Sequence, residues 1–337
     1  MLKGLGSVLP SPDPSAPSVE GSVWDAWTRE APAVSAFATA RAALAGLLRA
    51  GETRRLWLPA YCCDTLLKAP LAAGVEVAWY GIDERLNAVT AALEAGLVAG
   101  DAVLAIAFFG RAPDEGLRAL AARRPDVLWI EDRAQALDTG VASLGAVTLY
   151  SPRKLLGVAD GGILVGEHLP SPFGQSADEA DLWLPNDLRR ADPDGSSPEA
   201  WFNAFRAREA AFDAAPAPCG PRTLAALRAL PLVVEVEARR RNWQVLAARL
   251  GALALWSAEA PIFAPLAFPI VVDDAAVLSS RLAARRIWAA RHWADLPSPK
   301  SFVAAHALSG RCVSLPLDGR YDAQDMDRIA DAVLAGG

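Results

Sequence analysis

Ala102-Val-Leu-Ala-Ile-Ala-Phe-Phe109, the helical run Pro113 to Arg123, and Asp126-Val-Leu-Trp-Ile-Glu-Asp132 decide the fold class of this chain. The first and third segments are apolar at successive positions rather than alternate ones, as in strands covered on both faces. A helix-length segment between two such strands is a parallel crossover. The alternation continues toward the N-terminus. Leu56-Trp-Leu-Pro59 and Val75-Glu-Val-Ala-Trp-Tyr80 read as strands, with a helix ending near Gly74 between them. Thr39 to Ala50 reads as an alanine-rich helix stopped by Gly51, and Leu86 to Ala95 as another helix. Two short strands, Val147-Thr-Leu-Tyr150 and Gly162-Ile-Leu-Val165, complete the sheet without full helices between them. The expected class is α/β, with a doubly wound, mostly parallel sheet.

Farther along, residues 170 to 200 cluster Pro, Asp, Gly and Ser and read as loop. Helical periodicity resumes at Glu199 to Phe212 and at Arg222 to Leu250. A strand at Phe268 to Val272, a helix at Ala275 to Arg286, a strand at Cys312 to Leu315 and a helix at Ala323 to Leu334 form a smaller α+β unit. The chain has 337 residues, and at roughly 150 residues per domain that suits two. The expected division is 1–214, a large domain that includes an irregular Pro- and Ser-rich leader, and 215–337, a small C-terminal domain. No internal repeat is evident.

Composition excludes several functions. Charged residues are 21% and the net charge is −6, and no long basic run is present, so nucleic acid is not an expected partner. The longest uncharged run, Thr139 to Pro152, is too short to span a bilayer and contains Gly and Pro. The first residues reach Pro10, Pro12 and Asp13 before any secretory apolar core can form, which leaves the cytoplasm as the expected location. Cys62, Cys63, Cys219 and Cys312 form no C-x-x-C pair and the three histidines are scattered, so no metal is expected. Neither G-x-G-x-x-G, P-loop nor G-x-S-x-G occurs. His292, beside Trp293, reads as a structural histidine.

In an open parallel sheet, ligands bind beyond the carboxyl ends of the strands. Asp132 ends one strand there, and Lys154 lies four residues past another. The chain carries 29 arginines but only four lysines, Lys3, Lys68, Lys154 and Lys300. Arginine meets any general need for charge, so a lysine beside apolar strands invites a chemical reason. A primary amine forms Schiff bases, and desolvation brings its pKa toward a useful range.

Ser151-Pro-Arg-Lys154-Leu-Leu-Gly157-Val-Ala-Asp160-Gly161-Gly162-Ile-Leu-Val165 resembles the Schiff-base lysine segment of the DegT/DnrJ/StrS family of pyridoxal-phosphate-dependent aminotransferases, which have the aspartate-aminotransferase fold. Ile130-Glu-Asp132-Arg-Ala-Gln135-Ala136, Ala40-Arg41-Ala42-Ala43-Leu44 and Leu58-Pro-Ala-Tyr61 resemble further family motifs in the family's order, and Phe268 to Val272 and Arg311 to Leu317 resemble its small domain. The resemblance implies pyridoxal 5'-phosphate on Lys154 and Asp132 against the pyridinium nitrogen. It implies Gln135 beside the ring hydroxyl, and main-chain N–H groups of Arg41 and Ala42 around the phosphate. It further implies an amino-acid donor, typically glutamate, a nucleotide-linked keto-sugar as acceptor, and a homodimer.

Three positions depart from the family pattern. Cys63 stands where an aromatic usually stacks on the ring, which passes that role to Tyr61 or leaves it vacant. Leu149 replaces a serine, so Ser151 would supply the phosphate hydroxyl. Arg41 replaces a common threonine and could contact the phosphate directly. Arg111, Arg133 and Arg222 are candidates for a substrate carboxylate or diphosphate. A lyase or aldolase on the same fold, and a non-catalytic cofactor-binding or scaffold homologue, are the alternatives.

Overall fold

Seven strands form the central sheet of the computed structural model, which describes residues 3–256 and 261–335. In chain order, β1 (Leu5–Gly6), α1 (Val23–Thr28), β2 (Ala33–Phe37), α2 (Ala40–Ala50) and β3 (Arg55–Pro59) are followed by α3 (Lys68–Ala73), β4 (Glu76–Tyr80) and α4 (Thr90–Gly96). Next come β5 (Ala102–Ile106), α5 (Glu115–Arg123), β6 (Leu128–Arg133), β7 (Val147–Tyr150) and β8 (Gly162–Gly166). The sheet order is β2-β8-β7-β6-β5-β3-β4. From β4 to β7 neighbours are parallel, whereas β8 is antiparallel to β7 and β2 antiparallel to β8. All five residues of β5 are buried, as its unbroken apolar run requires of a strand covered on both faces.

Helices α6 (Glu179–Ala191), α7 (Pro198–Ala211), α8 (Pro221–Ala229) and α9 (Leu232–Leu250) lead into the C-terminal region. There β9 (Ala267–Val271), α10 (Ala275–Ala284), β10 (Ile287–Trp288), α11 (Val303–Arg311), β11 (Cys312–Pro316) and α12 (Ala323–Leu334) follow. β11 pairs antiparallel with β9, and β10 pairs parallel with β1. Trp243, Phe268, Ile270, Val313, Leu315, Met326 and Ile329 make a separate core, and Leu5 from the leader is buried in it. α8, by contrast, packs on α1, with Leu227 buried beside Val23 and Trp27.

Several local expectations differ from the structure. The helix expected from Leu86 begins only at Thr90, because Asp83 Oδ1 accepts from the N–H groups of Arg85 and Asn87 and Leu86 is left-handed at φ 63°. The strand from Ala102 stops at Ile106, since Phe109 turns left-handed at φ 54°. α6 occupies some of the stretch read as loop. Asp178 caps its start, while Pro185 inside it disguises its periodicity. The helical reading from Arg222 to Leu250 breaks at Pro231, where the chain bonds back to residues 21–23. β2 and α11 carried no signal strong enough to be expected.

The β7–β8 connection carries Lys154 and is packed backbone to backbone against the start of α2. Gly161, at φ +115°, would place a Cβ 2.7 Å from Pro152 Cγ. A Cβ on Gly162 would collide with the Thr39 carbonyl and the Ala40 nitrogen, and Gly161 N–H donates to Ala38 O (2.7 Å). Gly162→Ala is therefore expected to cost about 3 kcal/mol by overpacking, read by urea unfolding. A loss below about 1 kcal/mol would mean that the Thr39 turn can shift aside.

Candidate functional site

Asp132 reaches the carboxyl end of β6 because β6 stays in parallel register with β5 and β7, pairing Ile106 with Asp132 and Asp132 with Leu149. Ser151 to Lys154 lies just beyond the next strand end, and Thr39 caps α2 across the gap. These segments enclose a cleft of about 600 Å³, its open mouth included, whose lining includes Arg41, Cys63, Asp132, Gln135, Ser151 and Lys154. Residues far apart in sequence thus meet at the position expected for ligands in an open parallel sheet.

The cleft holds polar groups that the chain itself does not satisfy. Ser151 is buried, and its Oγ has no hydrogen-bond partner among the described residues. The Nε of Arg153, which also lines the cleft, is buried without one too, although its Nη1 pairs with Glu209 at 2.5 Å. Arg41 is buried, with Nη1 donating to Phe212 O (3.0 Å). Burial and then the like charge of Arg153 pull its pKa down, against Glu209. An oxyanion would relieve these costs, because guanidinium, hydroxyl and helix-start N–H groups are its natural donors.

Asp132 is buried and one carboxylate oxygen accepts from Ala134 N–H (2.8 Å). Burial pushes its carboxyl up, while the positive charge of Lys154 and the Ala134 N–H oppose that shift. A buried carboxyl so placed favours a cationic partner in the cleft. Gln135 Oε1 accepts from Phe109 N–H (2.7 Å), which fixes the left-handed turn after β5 and leaves the amide NH₂ as the remaining donor.

Other expected positions fall differently. Ala42 N–H is taken by the Thr39 hydroxyl (3.1 Å), and the Thr39–Gly161 bridge engages Ala40 N–H, which leaves Arg41 N–H as the first-turn donor beside the cleft. Tyr61 does not line the cleft: it is buried behind it against Phe108 and Trp293, its hydroxyl donating to His292 O. Cys63 does line it, but offers a thiol held by Thr65 Oγ1 (3.0 Å) and Asp64. Lys154, expected to be desolvated, is exposed at the rim, because the short turn Pro152–Lys154 points it toward the open mouth.

Arg133 is closed by Glu131 (2.6 Å) and Arg222 by Asp187 (2.7 Å), so neither is free for a substrate anion. Arg111 lines a different cleft. His292 donates or accepts at Ser314 Oγ (2.8 Å), and burial followed by the charge of Lys154 lowers its pKa to about 4. It is therefore neutral near pH 7. Trp293, Arg153, Thr39 and Ala40 were missed as lining residues. Arg153 could have been found from its place beside Lys154, but nothing local brings Trp293 there. No group of three or more His, Cys, Asp or Glu side chains gathers as a metal site among the described residues, and no described helix is long and apolar enough to cross a membrane.

No family model matches the chain, and no match is found among curated proteins. Solved structures do match. A DegT DnrJ EryC1 StrS aminotransferase from Brucella abortus is 17% identical, with a TM-score of 0.64 over 94% of this chain and 91% of that one. The sugar aminotransferase CalS13 from Micromonospora echinospora is 18% identical, with a TM-score of 0.65 over 100% of both chains. Spr1654 from Streptococcus pneumoniae, a sugar aminotransferase solved in a PLP form, is 14% identical, with a TM-score of 0.66 over 95% of this chain and 92% of that one. The fold is shared with these enzymes.

Because the Ser151 hydroxyl is buried without a bond, Ser151→Ala is expected to leave the ligand-free chain unchanged or to stabilise it by about 1 kcal/mol. A destabilisation of more than about 1 kcal/mol in urea would show that the hydroxyl serves the fold instead.

Proposed function

We propose that this protein is a pyridoxal-phosphate-dependent aminotransferase, moving an amino group from an amino acid, glutamate in the first instance, to a keto-substrate, specifically a nucleotide-linked sugar. The observation that carries this reading is the convergence of Lys154, Asp132, Ser151 and Arg41 on one cleft, with the Ser151 hydroxyl unbonded and the Asp132 carboxyl pushed toward protonation. The shared fold supports it, since the neighbours are described as sugar aminotransferases.

When bound, pyridoxal phosphate supplies an electron sink that stabilises negative charge on the substrate carbon. Ser151 Oγ, the guanidinium groups of Arg41 and Arg153, and the N–H group of Arg41 would hold its phosphate. Asp132 would bind the protonated ring nitrogen, a cation that offsets the cost of burying the carboxylate. Gln135 would donate its amide NH₂ within the cleft, with Trp293 rather than Tyr61 as the aromatic wall. The Lys154 amine would anchor the group and move the proton at the substrate carbon.

Such a transfer also calls for water to be excluded from the cleft around the exposed Lys154 amine. We assign that exclusion to a second copy of the chain in a homodimer and to bound substrate. Lys154 would thus belong to the large domain, residues 1–214, and the cover contributed by Trp293 to the small domain, residues 215–337. We propose the cytoplasm as its compartment.

Borohydride trapping of the cofactor followed by peptide mapping is expected to mark Lys154, and label elsewhere overturns the assignment. Glutamate is expected to convert the bound cofactor to pyridoxamine phosphate; a spectrum that no amino acid changes would favour a lyase or a non-catalytic homologue. Arg153→Ala is expected to weaken pyridoxal phosphate binding by about tenfold to a hundredfold, the size of a charge-assisted bond. Binding of pyridoxal, which lacks the phosphate, should stay within about twofold, and an equal loss for both compounds would remove Arg153 from the phosphate site.

A further inference from the structure

A second cleft opens beside the first and shares no lining residue with it. Its volume is about 550 Å³, and it is formed by the chain following β4, β5 and β6 together with Trp243, Trp256 and residues 261–263. Arg85, Arg111 and Arg118 all line it, and none of the three is paired with a carboxylate among the described residues. Arg111 lies 5.1 Å from the Trp256 ring and reaches only Asn87 Oδ1 (3.3 Å) and the Arg85 carbonyl (3.5 Å). Its pKa is pulled down, chiefly by burial and partly by Arg85, against Asp114 and Asp83. Arg118 gives Nη2 to Ala142 O (3.0 Å), while its Nη1 is buried with no partner. The Arg85 guanidinium makes no side-chain bond among the described residues and is exposed.

At four other places the chain closes such groups with acids. Arg55 meets Asp101, Arg133 meets Glu131, Arg222 meets Asp187 and Arg320 meets Asp318, each within 2.7 Å. The acids near this cleft are spent on the backbone instead. Asp114 accepts from Ala88 N–H (2.8 Å) and Leu117 N–H (3.1 Å), and Asp83 accepts from Arg85 and Asn87. Among the described lining residues, Glu115 stands exposed at the rim. Among the described residues, three arginines therefore line the cleft without a carboxylate partner, beside an apolar wall that includes the 66% exposed Ile262.

We infer that this cleft is a binding site for a small molecule carrying two or more oxyanion charges on an organic body of nucleotide size. Guanidinium forks bind phosphate and carboxylate oxygens alike, and the volume exceeds what an inorganic ion needs. The inference stands apart from the cofactor reading, because no group of the Lys154 cleft is involved.

Isothermal titration of the chain preloaded with pyridoxal phosphate would use uridine diphosphate, citrate and inorganic pyrophosphate as probes. Saturable binding of uridine diphosphate or citrate is expected, with pyrophosphate weaker because it lacks the body. Arg111→Gln and Arg118→Gln should each weaken the better probe by about tenfold or more, while Arg153→Ala stays within about twofold. Preference for uridine diphosphate would assign a phosphorylated ligand, and preference for citrate a polycarboxylate. Absence of saturable binding by all three probes would overturn the site. So would affinity indifferent to Arg111→Gln and Arg118→Gln in chains whose unfolding remains cooperative, or affinity lost in Arg153→Ala.

Discussion

The contact of the β7–β8 connection with the N-terminus of α2 is the constraint on which the rest of the cleft depends. Gly161 and Gly162 let two backbones approach where a side chain would separate them. Asp160 locks the same connection from the other side, accepting from the Thr223 hydroxyl, Gly220 N–H (2.7 Å) and Cys219 Sγ (3.8 Å). That joins the lysine turn to the start of α8 as well as to α2. Ser151, Arg153 and Lys154 therefore face Thr39, Ala40 and Arg41 because glycine and a buried carboxylate leave the connection no other course.

The fold carries several unfavourable groups side by side in this cleft. A buried hydroxyl without a bond, a buried guanidinium nitrogen without one, and a carboxyl pushed up by burial all sit within one lining. Each penalises the ligand-free chain by an amount of order 1–3 kcal/mol, and native interiors normally satisfy such groups. Here they meet at the carboxyl ends of parallel strands, where ligands bind in open sheets. Thr39 illustrates the opposite choice, spending its hydroxyl on Ala42 N–H so that the helix start is partly self-satisfied.

The two clefts divide the arginines of the chain by function. Several half-buried guanidinium groups, those of Arg55, Arg124, Arg222 and Arg320 among them, are closed by carboxylates. Those around Lys154 and those around Trp256 are left partly open, and in both places a neighbouring arginine lowers the pKa of another. Phe109 lies between the two regions, edge-on to Trp256 (5.9 Å) and to His292 (5.7 Å), with its N–H fixed by Gln135. The turn after β5 thus helps to shape both clefts at once.

Sequence alone determined the parallel sheet, because consecutive apolar residues in β5 and β6 admit only a strand buried on both faces. It also singled out Lys154 and Asp132, since strand ends and a scarce lysine are local signals; the family resemblance added Gln135, Ser151 and Arg41, and the cleft gathers all five. Tertiary structure decided what local signals cannot carry. The turn at Asp83 delays α4, Pro185 hides α6, and the Thr39 cap removes the Ala42 donor, each through a bond or conformation that periodicity does not register. Trp293 reaches the cleft, and Tyr61 is turned away from it, by packing between segments more than two hundred residues apart. The same holds for the exposure of Lys154: a sequence shows that an amine follows an apolar strand, but only the folded neighbours determine how much water it meets.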